Sequence, residues 1–186
     1  MKKEFQTPEE IRQQIWKELG RATQDRHHAW RTPVLATADK NGAVNARTVV
    51  VRSVDVASQT LQIFTDRRSP KVQEIVNEPK AVFVFWSVRL NWQLRVRVSI
   101  AHQTSGPQVE SQWQRVKQTV AAADYLAALA PGSPIPEASA ELALLQQTDN
   151  FTLLTAHVAE IDWLELGRTG HRRACLTQGA WQWLTP

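Results

Sequence analysis

The apolar positions of this chain change their period several times, and each change predicts an element. Thr7-Pro8-Glu9-Glu10 opens the first: Thr7 can cap, Pro8 suits the first helical position and Glu10 completes a capping box. Ile11, Ile15 and Leu19, with Trp16 beside them, follow at helical spacing up to Gly20, which predicts a helix over residues 7–20. Pro33 to Ala38 and Val44 to Asp55 then read as a hairpin across Asp39-Lys40-Asn41-Gly42, residues that tolerate positive φ. Thr60 to Thr65 alternates like a strand with one buried face. Ser69-Pro70 repeats the cap-then-proline signal ahead of Val72, Ile75 and Val76, a short helix ended by Asn77-Glu78-Pro79.

Ala81 to Trp86 is almost wholly apolar. On the next predicted strand Trp92, Leu94, Val96, Val98 and Ile100 share one face, while Gln93, Arg95, Arg97 and Ser99 share the other. Pro107 opens a helical stretch through Trp113, Val116 and Val120 to Leu129, broken by Pro131-Gly132-Ser133-Pro134, and a further short helix is expected from Glu137 to Gln147. Residues 107–147 thus form a helical insertion. Phe151 to Leu166 returns to β character, and Arg173 to Leu176 and Ala180 to Leu184 flank Thr177-Gln178-Gly179 as a last hairpin. Closely spaced strands with turn signals predict a mainly β fold, an antiparallel sheet or barrel with peripheral helices, as one domain over residues 1–186.

Composition narrows the function classes. Cys175 is the sole cysteine, so no intrachain disulfide is possible and nothing supports a thiolate metal site. The start, MKKEFQTPEEIRQQ, turns polar at once where a secretory signal needs an apolar run, and no stretch approaches the roughly 20 apolar residues of a membrane span. A cytoplasmic protein is expected. The net charge of +4 comes from dispersed arginines, which suits an anionic ligand; a nucleic-acid binder would show a denser basic stripe or a reading motif. Eight tryptophans beside one tyrosine read as core or interface anchors. GxGxxG, GxxxxGK[ST] and GxSxG are absent, and the five histidines lack ligand spacing, so no metal is expected.

One region carries a chemical signal. Arg47-Thr48-Val49-Val50-Val51-Arg52 is a β run bracketed by arginines of opposite parity, which reach one site only if a bulge or strand end intervenes. One strand later, Phe64-Thr65-Asp66-Arg67-Arg68-Ser69-Pro70-Lys71 gathers hydroxyls, cations and a helix N-terminus, a combination that suits a phosphate. Arginines add planar paired donors. Taken alone, the same residues read first as a capped surface helix with solvated charges.

The order of the pieces adds to this. ATADKNGAVNARTVVVRSVD, then LQIFTDRRSPKVQEIVNEPKAVFVFW, then WQLRVRVSIAH, resembles the FMN-binding split barrels related to pyridoxamine 5′-phosphate oxidase from about Thr32 to Ile100. The tail from Trp163 through His171-Arg172-Arg173 to Trp181-Gln182-Trp183-Leu184-Thr185-Pro186 resembles the closing segment of that family. The resemblance implies a six-stranded antiparallel split barrel, FMN as cofactor, a homodimer with FMN at the subunit interface, and an oxidoreductase whose redox chemistry belongs to the flavin. It would place Arg47, Thr48, Val49, Val50 and Arg52 along the flavin, Phe64 and Thr65 beside it, and Ser69 and Lys71 at its phosphate. Gln93, Trp163 and Arg173 match cofactor-contacting positions, the last two from the other subunit, although Trp163 also reads as core. His171 is the candidate for substrate contact.

Departures bear on the substrate. Pro70 stands where the oxidase carries a basic residue, so Arg67 or Arg68 would have to compensate. Thr169-Gly170-His171 keeps the histidine alone of an Arg-x-His pair, and Tyr125 is a partial match to the residues that hold the substrate phosphate. A changed substrate pocket follows, with its substrate not readable. A non-enzymatic flavin carrier or sensor stays open beside the oxidoreductase, as does a basic module stacking nucleic-acid bases on tryptophan.

Overall fold

The computed structural model describes residues 7–135 and 149–186; the helix expected over residues 137–147 lies outside them. Helix α1 (Pro8–Gln24) starts on the expected capping box, with the Thr7 hydroxyl accepting from the Glu10 N–H. It runs past Gly20, because Ala22 continues the buried stripe and the Asp25 N–H still reaches the Arg21 carbonyl at 2.9 Å. Strands β1 (Val34–Ala38) and β2 (Val44–Thr48) form the first hairpin, closed by Gly42 at φ 83° and by the Asp39 carboxylate, which accepts from the N–H groups of Asn41 and Ala43.

The strand expected from Val44 to Asp55 is two strands. After Thr48 the chain leaves β1, with the Val49 N–H donating to the Pro33 carbonyl at 3.0 Å, and restarts as β3 (Val51–Asp55) against β4 (Thr60–Asp66). The remaining strands are β5 (Lys80–Ser87), β6 (Trp92–Gln103), β7 (Phe151–Glu165), β8 (Arg172–Thr177) and β9 (Ala180–Leu184). All the pairings are antiparallel, in the order β2-β1-β5-β6-β7-β4-β3. The two ends of that path are halves of one segment, so the sheet curls into a split barrel joined through Val49–Val50. Among the described residues the sheet has nine strands, not the expected six. One extra comes from the break at Val49–Val50. Others come from the length of β7: residues 151–157 pair with β4, and beyond a bulge at Ala159 residues 160–165 pair with β8, which carries β9.

Helix α2 (Pro70–Asn77) lies after β4. The helix expected from Pro107 to Leu129 is shorter: α3 (Pro107–Val116) ends where the Thr119 hydroxyl donates to the Val116 carbonyl, and after a 3₁₀ turn comes α4 (Ala123–Leu126). Trp30, Trp92 and Trp163 are fully buried at the centre of the barrel core, Trp92 and Trp163 meeting edge-to-face at 5.3 Å. A smaller cluster of Val109, Trp113, Tyr125, Phe151 and Leu153 packs α3 and α4 onto β7 and backs against Phe64.

Helix α1 is pinned by a buried carboxylate. Glu18, 1% exposed, meets His28 Nε2 at 2.8 Å, Arg21 at 3.1 Å, Gln14 at 2.8 Å and the Arg89 guanidinium from the β5–β6 turn. Between β7 and β8 the chain turns so tightly that a Cβ on Gly167 would lie 2.2 Å from the Gly170 carbonyl oxygen. Gly167→Ala must therefore open this turn, and we expect a loss of about 1–3 kcal/mol in urea unfolding, in the range of backbone strain at a special position.

Candidate functional site

Thr48, Val49, Val50 and Arg52 from the β2–β3 break, Ile63, Phe64 and Thr65 from β4, Arg47 and Lys71, and Asp124 and Tyr125 from α4 enclose a cavity of about 250 Å³. Arg47 and Arg52 both reach it despite their opposite parity. The strand ends between them, and the register of β3 on β4 shifts at Arg52, the irregularity the sequence required.

The phosphate-suited end is organised by α2. Lys71 Nζ donates to Thr65 Oγ1 at 3.0 Å and to Ser69 Oγ; these partners are uncharged. Burial pushes the Lys71 ammonium below the usual lysine range, and Arg47 pushes it the same way, against the opposing pull of Glu74 and Asp66. Ser69 is buried and its side chain makes no capping bond to α2; its hydroxyl accepts from Lys71 instead. Arg47 bonds to Glu74 at 2.9 Å and to the Thr37 hydroxyl, while Asn45 Nδ2 donates to the other Glu74 oxygen at 2.9 Å. Glu74 was not a sequence candidate, though its place three residues after Lys71 puts it on the same face of α2. At the other end the Arg52 guanidinium lies 5.8 Å from the Phe64 ring centroid. The Tyr125 phenol beside it is pushed up chiefly by burial, with Arg52 opposing.

Neither arginine expected to compensate for Pro70 lines the cavity. Arg68 is tied to Asp66 at 2.7 Å and to the carbonyls of Ala127, Ala128 and Leu129, and Arg67 Nε donates to Asn150 Oδ1. Gln93, Trp163, Arg173 and His171 also lie off it. Trp163 is fully buried in the core, which is where the alternative reading put it, and cannot face a ligand in this arrangement. Gln93 and Arg173 stand on the outward face of the sheet, with Arg95, Arg97 and Asp162 nearby. His171 is exposed just ahead of β8. Cys175 is half-buried, and burial together with Glu160 pushes its thiol up, away from a reactive thiolate.

A second concavity, about 530 Å³, lies on the outward face of β1, β5 and β6, lined by Ala36, Ala38, Val44, Ala81, Val82 and Val98 among others. It is mostly apolar, and Val44 beside it is 73% exposed. Among the described residues no group of three metal-ligating side chains occurs, and no helix is long and apolar enough to cross a membrane.

All the cavity's residues except Asp124 and Tyr125 fall within one matched stretch. Residues 13–102 match the family model described as pyridoxamine 5′-phosphate oxidase, FMN-binding domain. Over these residues the chain is similar to the pyridoxamine 5′-phosphate oxidase-like family. The pyridoxine/pyridoxamine 5′-phosphate oxidase of Anaeromyxobacter dehalogenans is 34% identical over 82 residues, 44% of this chain and 40% of that protein. That of Chromohalobacter salexigens is 39% identical over 62 residues, 33% of this chain and 28% of that one. The alignments thus span well under half of these curated relatives. Among solved structures, a pyridoxamine 5′-phosphate oxidase-related FMN-binding protein of Nostoc punctiforme superposes with a TM-score of 0.72 at 22% identity, covering 98% of this chain and 100% of that one. PhzG of Burkholderia lata, solved with tetrahydrophenazine-1-carboxylic acid, gives 0.70 at 16%, covering 94% and 91%. At these identities the likeness establishes the split-barrel fold.

Proposed function

We propose that this chain binds FMN as a homodimer and serves as a cytoplasmic FMN-dependent oxidoreductase of a small organic substrate. The observation that carries the reading is the cavity, which gathers eight of the residues expected at the cofactor around a half-buried lysine bonded to hydroxyls alone. Such a cation, crowded by Arg47, is best relieved by an incoming phosphate. Lys71 and Arg47 would hold the phosphate, Phe64 would wall off water, and Arg52 with Tyr125 would border the opposite end. Bound flavin supplies the electron-transfer chemistry. The chain's own task is then to bind, orient and shield it.

Two features support the dimer. A cavity of about 250 Å³ falls short of the roughly 300–1,000 Å³ typical of small-molecule sites, so one protomer offers part of an enclosure. Gln93 and Arg173 lie elsewhere, on the sheet's outward face, and in this reading they complete the cavity of the partner subunit. Mixing separately inactive Arg47→Ala and Arg173→Ala proteins tests this. The mixed dimers should regain one intact FMN site each; no regain in verified mixed dimers would contradict a shared site. The small cavity also favours a second reading, a flavin carrier or sensor with no substrate room, for which flavin is reducible but no substrate is turned over.

A further inference from the structure

The outward face of β6, β7 and β8 carries an unequal charge cluster. Asp162, whose side chain is 12% exposed, bonds the Arg173 guanidinium twice, Nε to Oδ1 at 3.0 Å and NH2 to Oδ2 at 2.8 Å, and also accepts from Arg95 NH2. On the same face Arg97 and Glu160 pair one to one at 3.1 Å. At Asp162 two cations share one anion, which leaves a surplus positive charge with guanidinium edges still partly exposed. Burial pushes the Asp162 carboxyl up, but the bonds from Arg173 and Arg95 outweigh it and hold the group below its ordinary value, so it stays charged across the neutral range. The register explains why the three meet: Arg95 is the direct cross-strand partner of Asp162 on β7, and Arg173 on β8 sits diagonally beside it.

We propose that Asp162 is a positioning residue that locks Arg95 and Arg173 into a paired cation, presented to the electron-rich edge of the flavin bound in the partner subunit's cavity. The inference rests on the shared-site reading above. Two guanidiniums close together repel, and each has costly rotamer freedom; one carboxylate between them removes both problems by fixing their planes and neutralising half the charge. Cations at the flavin's N1 and C2 carbonyl edge favour the reduced form, which carries negative charge there. The device therefore acts on flavin potential as well as on affinity.

Asp162→Asn distinguishes positioning from mere charge damping. If Asp162 only dilutes positive charge, its removal leaves two free cations that tighten FMN and raise its midpoint potential. Positioning predicts the reverse: FMN binding about tenfold weaker by fluorescence titration, the worth of a lost charge-assisted hydrogen bond, together with a lowered midpoint potential and partial rescue by Asp162→Glu. Should Asp162→Asn fail to fold, Arg173→Lys keeps the charge and abolishes the two-point bond, and the same two shifts are expected of it. Unchanged or tighter FMN binding with an unshifted or raised potential overturns the proposal. A wild-type protein that binds no FMN would overturn the underlying reading as well, so the two failures are told apart by the wild-type control.

Discussion

Lys71→Ala is expected to weaken FMN binding by about 10- to 100-fold, the worth of one charge-assisted hydrogen bond to a phosphate in a partly buried site. Folding stability should hardly suffer, because the ammonium is desolvated, depressed in pKa and bonded to neutral hydroxyls, so little attraction is lost with it. Lys71→Arg should recover little, since the guanidinium cannot take the place of a compact ammonium between Thr65 and Ser69. The pKa direction adds a pH signature. Burial and Arg47 ease loss of the Lys71 proton in the ligand-free protein, so FMN affinity should fall at alkaline pH sooner than for an ordinary lysine. Lys71→Ala should abolish that alkaline limb. An alanine variant with native affinity, measured by fluorescence titration across pH, would remove Lys71 from the phosphate site.

The largest effect on stability is expected at Glu18. Glu18→Ala leaves His28 and Arg89 without the carboxylate that joins α1 to the barrel, and losing the hydrogen bonds to such a charged group costs about 2–3 kcal/mol. Burial pushes the Glu18 carboxyl up, but His28, Arg89 and Arg21 together bring it below its ordinary value. The sign follows: a depressed folded-state pKa gives stability that is present above the unfolded carboxyl range and is lost as pH falls through the folded value. Wild-type protein should therefore lose stability steeply on acidification, and Glu18→Gln should be less stable at neutral pH with a flatter acid limb. Urea unfolding at stepped pH reads both; parallel profiles for wild type and Glu18→Gln would show that Glu18 contributes no such linkage.

The alternation of Trp92 to Ile100 and the turn at Asp39 to Gly42 were plain in the sequence because each rests on a local rule, pleat parity or positive φ. The break at Val49–Val50 was not, since a run of three valines favours a continuous strand and only the competition of β1 and β4 for its two halves splits it. Opposite parity of Arg47 and Arg52 was the one local hint. In the site, the Arg47 to Lys71 set was legible as a motif. Glu74 and Asp162 were missed because a carboxylate that organises arginines is recognised by what it touches, and β-sheet register sets that. Arg68 misled for the same reason: nothing in TDRRSP says that the second arginine turns back to Asp66 and the carbonyls just after α4.

The central claim is that the cavity between β2, β3, β4 and α2 receives FMN, and titrating purified protein with FMN while recording its visible spectrum and fluorescence tests it most directly. We expect a saturable, protein-bound flavin spectrum with quenched or altered fluorescence, at a stoichiometry of one FMN per protomer. A protein that leaves the free-flavin spectrum unchanged at every concentration would contradict the assignment and leave a split barrel with a cation-lined cavity for some other anion.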